Sequence, residues 1–260
     1  MKLPPESILY EDNHLFVLEK KPGLLSQADY SGDPDILNMA KDYIKIRDQK
    51  PGRVYLGLVH RLDRNTGGVI CLAKTSKAAS RLSEQIRKRQ WEKRYLALSA
   101  ARDQEEALKS VLQQEDNPQK AFPEFTLWRD VLSKDKKKNR VRPSKNGKEA
   151  LSRQRLLAAR SYKGEVLYLR EFSLESGRSH QIRVQSALRG FPLLGDLKYQ
   201  GRQLPGQDPH FLGLWACGLG IIHPVKKERM YFYSLPPEEG PWSLFSSVIK
   251  KACSASDPIA

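Results

Sequence analysis

The 260-residue chain is 39% hydrophobic and 29% charged, a balance that argues against a disordered tail or a membrane-embedded protein and allows a sizeable apolar core. Its 45 Lys and Arg outweigh 30 Asp and Glu, for a formal net charge of +15, which draws a protein towards polyanions, nucleic acid before an anionic membrane surface. Cys71, Cys217 and Cys253 fall in no spacing that suits zinc or a disulfide framework, no run reaches the roughly 18 apolar residues of a membrane span, and Met1 to Tyr10 holds no signal core, so a reducing cytoplasm is expected.

The fold is expected to begin at once, with Ile8-Leu9-Tyr10 and Leu15-Phe16-Val17-Leu18 flanking Glu11-Asp12-Asn13 as a hairpin that ends at Pro22-Gly23. Asp33 as N-cap and Pro34 at N1 predict an amphipathic helix through Ile36, Leu37, Ala40, Tyr43 and Ile44, stopped by Pro51-Gly52. Val69 to Ala73 reads as a compact strand. Thr75 then caps a helix with Ala78, Ala79, Leu82 and Ile86 on one face and Lys77, Arg81 and Lys88 on the other. Arg94 to Ala100 reads as a strand, and the polar stretch 102–120 as partly helical and peripheral.

Residues 134–148 gather Lys136, Lys137, Lys138, Arg140, Arg142, Lys145 and Lys148 around Pro143 and Asn146-Gly147. This is a solvated hairpin or loop that can grip phosphates, although a charged loop with no partner explains it equally well. Val166 to Leu174 alternates as a strand, and Ser179 is placed to cap a helix running to Gly190, whose φ freedom suits a C′ position. Further β-like runs follow at Leu212 to Ile222 and Met230 to Leu235. Without a βαβ rhythm, repeat or long linker, residues 1–260 read as one α+β domain around a largely antiparallel sheet.

Between Val59 and Gly68 a lone carboxylate, Asp63, stands among His60, Arg61 and Arg64, just ahead of a Thr66-Gly67-Gly68 turn and an apolar strand. A carboxylate can attack a sugar carbon, or stabilise an oxocarbenium-like centre, only if it stays ionised while shielded from water. Burial raises an Asp pKa and a guanidinium within about 4 to 6 Å lowers it, so such an Asp needs a nearby Arg. The segment Glu175 to Val184 can supply one, with Arg183 as the candidate. Arg178, His180 and Gln181 cluster at the start of the same helix, where donors and open backbone N–H groups suit a phosphate or a base edge. Taken singly these residues have plainer explanations: Asp63 as a turn or cap carboxylate, Arg183 as a surface helix residue, His60 and His180 as core-edge hydrogen bonders. Two dense segments in one chain favour a site.

His60-Arg61-Leu62-Asp63 with Thr66 and Gly68, followed by Gly177-Arg178-Ser179-His180-Gln181-Ile182-Arg183-Val184, resembles the signature of the RluA-type RNA pseudouridine synthases. The resemblance extends from the Ile8 to Asp12 hairpin and the Lys21-Pro22-Gly23 turn to His223-Pro224 and Leu235-Pro236. It implies the pseudouridine synthase fold, with a mixed, mostly antiparallel central sheet flanked by helices and loops. It also implies that Asp63 attacks the ribose, or assists glycal formation, so that uracil detaches, rotates and rejoins through C5 with no cofactor and no metal. On the same resemblance Tyr95 stacks on the uracil and helps move the C5 proton, where by itself it reads as an aromatic packed in a strand. Arg183 pairs with Asp63, and Arg61 fills the gap left by a flipped-out nucleotide, because sugar and base cannot be reached or rotated within a stack. His60, Thr66, Arg178, His180 and Gln181 are expected to hold the substrate RNA.

Gly67 departs from the Ser common in that family, and Gln185 from a frequent His. The chain leaves no room before Ile8 for the small helical RNA-binding domain of many relatives, so specificity is expected to come from loop shape and splayed bases. The expected protein is a cytoplasmic monomer that isomerises uridines in structured ribosomal or transfer RNA, without an obligatory protein partner or a membrane. Two other classes compete. An RNA chaperone that kept the fold but not the chemistry is opposed by Asp63, Tyr95 and Arg183, and a base-removing glycosylase would have to admit a water and would leave a different product.

Overall fold

A computed structural model describes residues 2–101, 123–135 and 137–254. The polar stretch 102–120 and Lys136 of the basic segment lie outside the described residues. In chain order the elements are β1 (Ile8–Glu11), β2 (Leu15–Lys20), α1 (Ile36–Arg47), β3 (Gly57–Leu58), β4 (Gly67–Ala73), α2 (Ser76–Arg87), β5 (Glu92–Ala100), β6 (Thr126–Asp135) and β7 (Arg140–Pro143). Then come β8 (Lys148–Tyr162), β9 (Glu165–Leu174), α3 (Gln181–Leu188), β10 (Leu214–Ile222), β11 (Arg229–Tyr233) and α4 (Ser246–Ser254). The fold is α+β with mixed, mostly antiparallel strands, as expected. Two compact units form, Met1–Lys93 with Ala216–Ser234, and Arg94–Trp215 with Leu235–Ala260.

In the first unit the strand order is β1-β2-β4-β10, with β3 beside β4 and β11 beside β10. The β1–β2 hairpin is closed by Asp12, whose Oδ1 accepts the N–H groups of His14 (2.7 Å) and Leu15 (2.8 Å). Its Oδ2 lies 2.8 Å from His223 Nε2 and accepts from the Tyr10 hydroxyl. Burial pushes the Asp12 carboxyl up, but these donors prevail and hold it down at about 2. Every residue of β4 is buried, which is why its apolar run is continuous rather than alternating. Val69 and Cys71 join Leu15 and Val17 of β2 and Ala78 and Leu82 of α2 in one core cluster.

Thr75 caps α2 as expected, accepting from Ala78 N–H at 3.1 Å. For α1 the cap is Asp35, not Asp33, and Pro34 lies outside the helix. Leu25 donates to the Pro34 carbonyl and bridges to Asp35, which keeps that stretch extended until the Asp35 carboxylate accepts from Asn38 N–H. Gly68 has φ +110°, and a Cβ there would sit 2.2 Å from the Ala216 carbonyl oxygen, so only glycine fits.

In the second unit the order is β5-β9-β8-β6-β7, with each of these neighbours antiparallel. Phe172 of β9, Ala97 of β5, Trp128 of β6 and Ile182 of α3 share an apolar cluster. Buried Glu171 ties β9 to Arg94 of β5 and to Arg155 of β8, and Arg94 also donates to the Ala252 carbonyl of α4. The basic segment, expected as a hairpin or loop, includes a hairpin of β6 and β7 paired from Leu132↔Pro143 to Asp135↔Arg140, whereas Pro143 and Asn146-Gly147, the turn residues singled out, fall at the end of β7 and in the connection to β8. Helix α3 starts later than expected. His180, in the left-handed region at φ 50°, is its N-cap, and Ser179 lies outside it. Gly190, at φ +80°, follows the C-cap Arg189 in the C′ position expected of it.

Candidate active site

Asp63 lies on the loop between β3 and β4, and the backbone of that loop is stitched down on both sides of it. Ser26 Oγ accepts from Leu62 N–H at 3.0 Å and donates to the Leu62 carbonyl at 2.7 Å. Gly23 N–H donates to the Arg64 carbonyl, and Thr66 N–H to the Asp63 carbonyl, both at 3.0 Å. Arg64 returns a bond from Nε to the Gly23 carbonyl and pairs with Asp33 at 2.6 Å. A side chain seated in such a loop does not have to be immobilised when a ligand arrives.

Lys20 completes this fastening. Its side chain is fully buried, and Nζ donates to the carbonyls of Arg64 (2.8 Å), Leu24 (2.8 Å) and Lys21 (3.1 Å). Burial lowers its pKa to about 7; the Asp63 carboxylate resists that shift and Arg64 adds to it. The ammonium therefore feels the charge of Asp63 while holding the loop that carries it. In a Glu19-Lys20-Lys21 run Lys20 reads as solvated. The available signal was its strand parity with Phe16 and Leu18, which places it on the same side of β2.

The other residues of this segment differ in exposure. Arg61 is exposed. His60 accepts the Cys71 N–H at Nε2 (2.9 Å) and stands edge-on to Trp91, and burial, with Lys93 nearby, holds its pKa down at about 3, so it is neutral at physiological pH. Thr66 is buried, and its Oγ1, like Asn65 Oδ1, has no hydrogen-bond partner among the described residues.

The second signature segment sits at the start of α3. Gln181 is buried, and its amide serves the protein: Oε1 accepts from Ser176 Oγ (2.9 Å) and Arg178 N–H (3.0 Å), and Nε2 donates to the Leu151 carbonyl (2.9 Å). Arg178 Nε donates to the Glu149 carbonyl at 2.8 Å. His180 Nδ1 lies 2.7 Å from the Tyr199 hydroxyl. Arg183 is gripped side-on by buried Asp196, with Nε to Oδ2 and Nη2 to Oδ1 both at 2.7 Å, and its guanidinium stands 5.2 Å from the Tyr199 ring centre. That geometry fixes the guanidinium plane. Asp196 was not legible beforehand, because an isolated acid in Gly195-Asp196-Leu197 carries no pattern.

Tyr95, half-buried on β5 opposite Phe172, packs on the cluster that includes Ile182 of α3. Gln185 is fully buried: it accepts from Ser152 Oγ and donates to Asp130 Oδ2, both at 2.8 Å, so this departure from the family pattern ties α3 to the strands beneath it. The structure thus gathers His60, Arg61, Asp63 and Thr66 with Lys20 in the first unit, and Tyr95, Arg178, His180, Gln181 and Arg183 around α3 in the second. Among the described residues no His, Cys, Asp and Glu side chains assemble as a metal site.

Residues 14–188, a stretch that includes both signature segments, match the family model described as RNA pseudouridylate synthase. The chain belongs to that family. It is 33% identical over 247 residues to an uncharacterized RNA pseudouridine synthase of Aquifex aeolicus, covering 90% of this chain and 70% of that one. To ribosomal large subunit pseudouridine synthase C of Escherichia coli K12 it is 32% identical over 243 residues, covering 90% and 67%. A further RNA pseudouridine synthase, from Synechocystis, is 34% identical over 86% of this chain and 63% of its own length. The chain thus spans about two thirds of the length of these curated relatives. The solved structure of human RNA pseudouridylate synthase domain containing 4 superposes with a TM-score of 0.65 at 21% identity, over 97% of this chain and 95% of that one, and shares the fold. The resemblance read from the two signatures, the pseudouridine synthase fold and the isomerase class all hold for this RNA pseudouridine synthase.

Proposed function

We propose that the protein isomerises specific uridines of ribosomal RNA to pseudouridine, with Asp63 as the nucleophile. The observation that carries this reading is the Asp63 loop itself, a carboxylate on a backbone held by Ser26, Gly23 and the buried Lys20 ammonium. Asp63 attacks the ribose, or assists glycal formation, and the detached uracil turns and rejoins through C5. Tyr95 stacks on the base, and Arg183, its plane set by Asp196, is the partner proposed for the Asp63 carboxylate. Arg61, being exposed, fills the stack vacated by the flipped nucleotide, a rearrangement that costs a few kcal/mol. Arg178 meets the RNA backbone, while His60, Thr66, His180 and Gln181 hold the RNA-facing segments in shape. The names of the Escherichia coli and Xylella fastidiosa relatives favour ribosomal over transfer RNA. The net charge of +15 supplies salt-sensitive docking energy. No helix among the described residues is long and apolar enough to cross a membrane. We place the protein in the cytoplasm, as a monomer whose residues 1–260 act as one catalytic domain.

The test is Asp63→Asn, assayed on unmodified large-subunit ribosomal RNA by chemical mapping of pseudouridine. The wild type should modify discrete sites, and the variant should lose at least about 10³-fold in rate while its RNA Kd stays within about twofold. Turnover retained by Asp63→Asn would refute the assignment. Free uracil as the product would point instead to a glycosylase, and RNA remodelling without any product to a chaperone.

A further inference from the structure

A groove of about 480 Å³ opens between the β6–β7 hairpin and α3. Its volume falls within the roughly 300–1,000 Å³ typical of small-molecule sites. The floor is aliphatic: Val184 and Ala187 of α3 form its buried base, packed with Val141 and Tyr199, and Leu188, which keeps 48% of its surface exposed, supplies its open face. The rim carries Lys138, Arg140 and Arg142, all exposed and none in an ion pair among the described residues. One acid, Asp135, also lines the groove, and its Oδ1 is engaged by Lys138 N–H at 3.1 Å.

The groove is built rather than incidental. The Tyr199 hydroxyl accepts from Val141 N–H at 2.8 Å, and Lys198 Nζ donates to the Asn139 carbonyl at 3.1 Å, so the hairpin is fastened to the 3-10 turn Leu197–Tyr199. Arg140 stands 5.7 Å from the Tyr199 ring centre, and Arg183 stands 5.2 Å from it. An apolar floor suits a flat, weakly polar ring, and unpaired cations on the rim suit anionic groups attached to that ring's edge. That combination describes a nucleotide whose base is not paired, since bases stacked in a duplex cannot present a face.

We propose that this groove holds one unpaired nucleotide of the RNA substrate, other than the uridine that reacts, with its base on Val184, Ala187 and Leu188 and its phosphates on Lys138, Arg140 and Arg142. The inference rests on RNA being the substrate and names a specificity contact for it. Because the floor belongs to the helix that carries Arg183, filling the groove sets the register of the strand along α3.

The experiment measures binding of a fluorescein-labelled oligouridylate of about 12 nucleotides by anisotropy, at about 0.15 M salt, to the full chain. Leu188→Glu puts a carboxylate on an already exposed part of the floor and should weaken binding about tenfold. Arg142→Gln should weaken it about threefold and reduce the salt slope by about one. Lys45→Gln, at an exposed position of α1, makes the same change in net charge as either variant and should stay within about twofold. Thermal unfolding of each variant establishes that it is folded. If Leu188→Glu and Arg142→Gln behave like Lys45→Gln while the wild type still makes pseudouridine, the groove proposal is overturned and the catalytic reading stands. If the wild type makes no pseudouridine but the groove variants lose oligouridylate affinity, the groove stands as a site for an unpaired nucleotide of a bound RNA and the catalytic reading falls.

Discussion

Lys20 and Arg183 are both cations taken largely out of water, one in each unit, and they are kept there by opposite means. Lys20 donates to three backbone carbonyls and, among the described residues, has no carboxylate as a hydrogen-bond acceptor. Arg183 is locked to the buried carboxylate of Asp196 through two parallel bonds. Carbonyl dipoles do not fully repay desolvation, so the Lys20 ammonium gives up its proton near neutrality, whereas a guanidinium stays charged throughout the physiological range. The first arrangement makes a backbone rivet whose charge is conditional. The second makes a permanent charge with a fixed orientation.

The sharpest way to break this contrast is to disturb the second arrangement. Arg183→Lys keeps the charge but loses the planar fork, and single-turnover isomerisation should slow by about 10³-fold. Asp196→Asn keeps Arg183 but weakens its grip, and should cost about tenfold to a hundredfold in the same assay with RNA affinity nearly unchanged. Full activity in both variants would show that orientation of Arg183 is irrelevant.

Disturbing the first arrangement should appear in stability. Lys20→Met strands three carbonyls and is expected to cost about 3 kcal/mol in urea unfolding at neutral pH. Because the folded-state pKa of Lys20 lies below its ordinary value, its protonation penalises the folded state, fully below about pH 7 and decreasingly as pH rises towards 10.5. Wild-type stability should therefore gain a rising component between pH 7 and 10.5 that Lys20→Met lacks. An unchanged slope in the variant would assign that component elsewhere.

A smaller effect is expected at Asp12, a carboxylate that is served by backbone N–H groups and His223 where Asp196 is served by a guanidinium. Its pKa lies below the ordinary value, so its contribution is complete above about pH 4 and lost as pH falls through about 2. Asp12→Asn should cost about 2 kcal/mol at pH 7 and flatten the acid limb of the stability profile over that window. Equal acid sensitivity in both proteins would contradict it.

What could be read beforehand follows from how local the cause was. Val69 to Ala73 and the Thr75-capped helix declared themselves because burial and capping act within a few residues. The start of α1 was misplaced by two residues because Leu25, distant in sequence, pairs with the Pro34 carbonyl and holds that stretch extended. Strands β6 and β8 were not recognised, since their burial does not alternate cleanly and charged residues fill the exposed positions. Asp63, Tyr95 and Arg183 were nameable from the two signature segments and the family resemblance. Lys20 and Asp196, which anchor their surroundings, were not, because each takes its meaning from partners that only the folded chain supplies.

Gly68 has a practical consequence for anyone who wishes to alter this protein. The neighbouring strand comes so near that even one methyl group would collide with the Ala216 carbonyl, at a backbone angle that already disfavours any other residue. A mutagenesis library aimed at the segment after Asp63 should keep that codon invariant. Diversity introduced there would return unfolded clones rather than enzymes with new preferences.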